Sequence, residues 1–211
     1  MSTYLPSPRP DDTIWGSIQQ AEQIIPGVWS VSTSSHGGFI LSDQRQAAMP
    51  EALSLPGPSY EEDCDWALPV LAFEQEFRSA PGTLKGWIEL AHDTARCWHP
   101  DRYGQFTGVP VEENQSHILR DRNAYKAAIG KLEVTSAWGS WASWVPEGKT
   151  GVVAHQIDSV NHLARPTHTG QAVYALVDAE AYKTRSSVCI LDDLPHEIIE
   201  TPEDMRPKQI A

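Results

Sequence analysis

Val28-Trp29-Ser30-Val31-Ser32-Thr33-Ser34-Ser35-His36-Gly37-Gly38-Phe39-Ile40-Leu41 carries the clearest structural instruction in the chain. Val31 and Thr33 alternate with Ser30 and Ser32, as a strand with one wet face requires. Ser34 to Gly38 holds the turn residues, and Phe39-Ile40-Leu41 resumes an apolar run. The pattern predicts a β-hairpin with His36 at an exposed tip. A short helix, Ser42 to Met49, is expected next, stopping before Pro50.

Outward from the hairpin, the chain reads first as helices and then as strands. Ser59-Tyr60-Glu61-Glu62 matches a capping box and predicts a helix start. Trp66, Val70, Phe73 and Phe77 follow at spacings of three and four, with Pro69 as a kink or boundary. Helices are also expected over Thr83 to Trp98 and within Glu112 to Lys131. After Gly130 come strand-like stretches at Leu132 to Trp138, Thr150 to Ile157, Gln171 to Val177 and Ser187 to Leu191. Short connections such as Pro146-Glu147-Gly148-Lys149 favour antiparallel pairing. The expected class is α+β, with an N-terminal β-hairpin and helices packed on a C-terminal antiparallel sheet. Residues 1–12 read as a flexible proline-rich arm, 13–195 as a single domain and 196–211 as a loose acidic tail.

The 211 residues carry 16 basic and 28 acidic side chains, a formal net charge of -12. That balance disfavours direct nucleic-acid binding, which is driven by phosphate neutralisation. It suits a basic groove on a protein or ribonucleoprotein partner, although acidity also simply aids solubility. Cys64, Cys97 and Cys189 are odd in number and lack a CxxC, so a reducing, cytoplasmic setting is expected rather than a disulfide framework. No run of about eighteen apolar residues predicts a membrane span.

Two features carry candidate chemistry. His36, with a pKa near neutrality, can serve as general base or ligand, or merely close the turn. Tyr60-Glu61-Glu62-Asp63-Cys64-Asp65-Trp66 crowds four carboxylates around a thiol; Glu61 or Asp63 can orient His36, and Cys64 can act as nucleophile only if its pKa falls. The local acidity opposes that fall. His92, Cys97 and His99 lack paired ligand spacing, so neither a metal nor another cofactor is expected. Of the 8 tryptophans, Trp141 and Trp144 sit in an expected loop as interface candidates, or fold back over the sheet. Glu61, Glu62, Asp63, Asp65, Trp141 and Trp144 are the partner-binding candidates; His36, Glu61, Asp63 and Cys64 are the catalytic ones.

The strings V-S-T-S-S-H-G-G at 31–38, Y-E-E-D-C-D-W-A at 60–67 and A-W-G-S-W at 137–141 resemble an uncharacterised family borne on proteobacterial plasmids and phages, over about Val28 to Asp178. The resemblance implies accessory cargo of a mobile element, a class rich in inhibitors of host restriction and CRISPR systems. The expected function is therefore binding and inhibition of a host defence component by protein–protein interaction. The alternative is a small hydrolase or transferase using His36 with Glu61, Asp63 or Cys64.

Overall fold

The structure, a computed structural model, describes residues 4–81 and 85–206. The outer parts of the two expected loose ends, 1–3 and 207–211, and the expected helix start at Thr83 lie outside the described residues. The chain divides into two compact units, residues 1–118 and 119–211, where the sequence reading has one domain over 13–195.

In the first unit, a short ribbon pairs β1 (Asp12–Thr13) with β2 (Gly16–Ser17). Strands β3 (Gln20–Ile25), β4 (Val28–Ser32) and β5 (Gly37–Leu41) form an antiparallel meander, with the expected hairpin at β4–β5. Helix α1 (Asp43–Ala47) follows, its N-cap Ser42 accepting from the Arg45 amide. The fourth strand is β6 (Ser59–Glu61), which pairs with β5 through Phe39 opposite Tyr60.

That strand corrects the expected capping box: Ser59 opens no helix. Pairing with the edge of β5 satisfies the backbone of 59–61, and Tyr60 buries its ring completely, donating its hydroxyl to Gln46 Oε1 at 3.0 Å. A local helix signal has yielded to a tertiary one. The acidic run 61–65 is therefore a strand end and a turn.

Helix α2 (Ala67–Ala72) starts after that turn and α3 (Glu74–Ser79) follows it. The break falls at Phe73, with φ -121° and ψ 33°, not at Pro69, which is tolerated in the first turn of α2. Helix α4 (Trp87–Trp98) buries Ile88, Ala91 and Ala95 at spacings of three and four. It packs on α2, and fully buried alanines on both helices, Ala67, Ala91 and Ala95, permit close approach. Pro100 opens α5 (Pro100–Thr107). The residue before a proline avoids helical geometry, so His99 stands between α4 and α5 at φ -123°, ψ 52°. The core gathers Val28, Leu53, Tyr60, Leu68, Val70 and Phe77, all fully buried.

The proline-rich arm is partly engaged. Tyr4 packs against this core, and Ser7 accepts from Trp29 Nε1 at 3.0 Å and from the side-chain Nε2 of Gln23.

The unit boundary falls two residues into α6 (His117–Ala127). The second unit is built on an antiparallel sheet ordered β10-β9-β8-β7, comprising β7 (Leu132–Trp138), β8 (Lys149–Val160), β9 (Pro166–Asp178) and, after α7 (Ala179–Lys183), β10 (His196–Ile199). Its core holds Val152, Ala154, Ala175, Val177 and Leu191. Residues 187–191, expected as a strand, contribute only an isolated bridge from Ile190 to Glu133. The sheet edge is filled instead by 196–199, within the expected loose tail. The class is α+β with a C-terminal four-stranded antiparallel sheet, as the sequence predicts.

Candidate functional site

The two glycines after His36 are required by packing. A Cβ on Gly37 would stand 2.5 Å from Glu62 Oε2 and 2.8 Å from the Val31 carbonyl, and one on Gly38, at φ +146°, would collide with the Tyr60 carbonyl. The Thr33 amide and hydroxyl both donate to the His36 carbonyl, at 2.7 and 2.9 Å, closing the tip. The Glu62 amide donates to the Gly37 carbonyl at 3.0 Å and the Trp66 amide to the Glu61 carbonyl at 2.9 Å, so the acidic turn is fastened at both ends.

This frame brings some of the expected residues together and separates others. His36, about half exposed, places Nδ1 3.9 Å from Glu61 Oε1. Its ring, Glu61 and Glu62 offer ligand atoms within 4.8 Å of one another. Asp63 points to solvent, its amide donating to Glu61 Oε2 at 2.7 Å. Cys64 instead groups with Asp65 and His99, again within 4.8 Å. Its Sγ lies 3.7 Å from Asp65 Oδ1. Burial, with the Asp65 and Glu61 charges next, pushes the Cys64 thiol up to about 12. A thiol so protonated is no nucleophile near neutrality.

His99 is the residue that sequence spacing could not place. Its side chain is only 9% exposed, and Nε2 lies 3.0 Å from Asp65 Oδ1. That contact lacks hydrogen-bond geometry, and Nε2 is buried without a hydrogen-bond partner. Of the other residues of the trio weighed as metal ligands, His92 meets Tyr103 and Glu74, and Cys97 Sγ meets His117 Nδ1 at 2.9 Å; the three do not converge. Beside the hairpin, Trp66 stacks on Trp87 at 5.4 Å between ring centroids. Both line an open groove of about 590 Å³ with Glu62, Ser30, Ser32 and Phe39.

In the second unit the tryptophan candidates divide. Trp141 is 77% exposed. Trp144 folds back against Trp138, at 5.7 Å, and over Gly151, where a Cβ would clash with its ring. A further polar centre lies on this sheet. Buried Glu133 accepts from the Tyr125 hydroxyl at 2.6 Å and pairs through its other oxygen with His168 Nε2 at 2.6 Å. Burial first, and then Glu133, raise the Tyr125 pKa. The sequence hint is a carboxylate at an inward position of β7, between half-buried Leu132 and Val134.

A family model described as a domain of unknown function (DUF7007) matches residues 8–129. The chain belongs to that family. The matched stretch takes in the His36 tip, the acidic turn and His99, and ends before Ala137-Trp138-Gly139-Ser140-Trp141. Comparison with curated proteins and with solved structures gives no match. Membership in DUF7007 thus brings no assigned activity. Among the described residues no helix is long and apolar enough to cross a membrane.

Proposed function

We propose that the protein acts by binding, presenting the acidic turn beside the hairpin tip to a basic surface on a protein partner. One observation carries this reading. Glu62 and Asp63 are exposed on a turn fastened at both ends, and among the described residues no lysine or arginine pairs with Glu61, Glu62, Asp63 or Asp65; their ion-pair contacts are to His36 and His99. A preorganised negative patch without its own countercharges steers and orients a positive partner. The net charge of -12 reinforces the field. Exposed Trp141 is the candidate anchor in the second unit.

The finer reading, supported by the resemblance to mobile-element cargo, is that the partner is a host defence protein or ribonucleoprotein in the bacterial cytoplasm, blocked by anti-CRISPR or anti-restriction binding. The test is the plating efficiency of a targeted phage on cells that express the protein alongside a restriction or CRISPR system. Expression is expected to raise plating, and Glu62→Lys with Asp63→Lys to abolish the rise while the protein stays folded. No rise with any system tried, or full activity in the double variant, refutes the reading.

The alternative hydrolase or transferase rests on the 3.9 Å approach of His36 to Glu61. It requires the opposite pattern: His36→Ala abolishes activity and the double lysine variant retains it.

A further inference from the structure

We propose that Cys64, Asp65 and His99 form a three-ligand site for a thiophilic divalent cation of the zinc class, with the fourth coordination position open. The three donors come from two packed elements, the turn before α2 and the junction between α4 and α5, and Pro100 holds that junction out of helical geometry. Their ligand atoms lie within 4.8 Å of one another, with Nε2 to Oδ1 at 3.0 Å and Sγ to Oδ1 at 3.7 Å. Bond lengths of about 2.3 Å to sulfur and about 2.0 Å to nitrogen or oxygen put tetrahedral ligands roughly 3.3–3.6 Å apart. The two separations to Oδ1 bracket that range, and the third, Sγ to the ring nitrogen, is within 4.8 Å and would shorten on closing around one ion.

The second observation is independent of that clustering. His99 Nε2 is buried, aimed at Asp65, and has no hydrogen-bond partner. Buried polar atoms are nearly always satisfied, and leaving one bare costs about 1–3 kcal/mol. A cation would satisfy it. Glu61 and Asp63 lie close enough to act electrostatically on Cys64, which adds a field that favours positive charge. The ligand set, one sulfur, one nitrogen and one carboxylate, suits zinc and excludes the oxygen-only preference of magnesium and calcium. Three protein ligands are also the pattern of sites that keep a position for water or substrate.

Two nearby arrangements are weaker candidates. Cys97 and His117 satisfy each other and provide only two donors. His36, Glu61 and Glu62 stand at the surface, with His36 about half exposed. The proposal is independent of the protein-binding reading, since neither requires the other.

The test uses the full-length chain, stripped of metal by a chelator and titrated with Co²⁺ as a spectroscopic stand-in for Zn²⁺. About one equivalent is expected to bind, with a thiolate-to-cobalt charge-transfer band, tetrahedral ligand-field bands and release of about one proton, all reversed by added Zn²⁺. Cys64→Ser should remove the charge-transfer band. His99→Ala should weaken binding by more than the about 10–100-fold that loss of an outer-shell partner costs. Cys97→Ser and His36→Ala should change neither. The absence of a charge-transfer band in the wild-type protein, or its loss in Cys97→Ser instead of Cys64→Ser, overturns the proposal. Should Cys64→Ser and His99→Ala fail a circular-dichroism check of folding, the wild-type spectrum together with Cys97→Ser and Cys189→Ser decides, a band kept in both variants supporting Cys64 and one lost in either overturning it.

Discussion

Two buried cationic-type side chains in the first unit, Arg45 and His99, are treated in opposite ways. Arg45 is completely buried, and its environment answers it. Nε donates to the Pro26 carbonyl at 2.8 Å, both terminal nitrogens donate to Glu76 at 2.7 Å, and the guanidinium lies over the rings of Tyr4 and Phe73. His99 is nearly as buried, yet its Nε2 faces a carboxylate without a hydrogen bond. A planar, bidentate, stacked arginine is a structural staple. An imidazole left bare beside a thiol and a carboxylate is the kind of local inconsistency that folds tolerate at working sites. Burial alone therefore does not separate structure from function, and satisfaction does.

The largest expected effect breaks the satisfied side of this comparison. Arg45→Ala removes both hydrogen bonds to Glu76, empties the space beside Tyr4 and Phe73, and should cost about 3 kcal/mol or more in urea unfolding followed by tryptophan fluorescence. Arg45→Met, which keeps most of the volume, should cost clearly less. A loss below about 1 kcal/mol in Arg45→Ala would mean that the pairing is not a staple.

The Glu133 centre of the second unit sharpens the contrast. Tyr125→Phe removes the donor to Glu133 Oε1 and should cost about 1–3 kcal/mol near neutral pH. The pH dependence has a definite sign. The folded-state pKa of Tyr125 is raised above its ordinary 10.0, so its contribution is fully present below pH 10 and is lost as pH rises through the folded value. The gap between wild type and Tyr125→Phe should therefore shrink in alkali. A gap that widens above pH 10 would show that the phenol is not held neutral by its surroundings.

Much of this was legible in the sequence, for reasons that particular residues make plain. The β4–β5 hairpin follows from two-residue alternation around Gly37 and Gly38, and α4 from the spacing of Trp87, Leu90, Ala91, Thr94, Ala95 and Trp98; both are local signals. Only Ala91 and Ala95 of that set are buried, however; Leu90 and Trp98 are exposed, and Ile88 completes the buried face. The acidic turn departs from the expected helix start because Ser59 and Glu62 satisfy a helix-start pattern locally, and only the edge of β5, some twenty residues earlier, decides otherwise. Strand β3 carries Gln20, Glu22 and Gln23, too polar to announce itself, and its pairing with β4 supplies what its composition does not. Candidate site residues were half visible. His36 comes to 3.9 Å from Glu61, beyond hydrogen-bond reach, and Cys64 groups instead with Asp65 and His99; the approach of His99 depends on how α2 packs on α4 and on where Pro100 ends a helix.

The smaller effects test the unsatisfied side. In metal-free protein, His99→Leu replaces a bare buried nitrogen with apolar volume, and Asp65, about a quarter exposed, keeps access to water. Stability should stay within about 1 kcal/mol of wild type, with a gain the expected direction. A loss above about 2 kcal/mol would make His99 a second staple and dissolve the contrast with Arg45. Smallest of all, Trp141→Ala should alter stability by less than about 0.5 kcal/mol, because an indole 77% exposed leaves little burial to lose. Trp144→Ala should cost several times more, since that ring covers Gly151 and leans on Trp138. Equal costs for the two would place Trp141 in the fold and withdraw it as a free anchor for a partner.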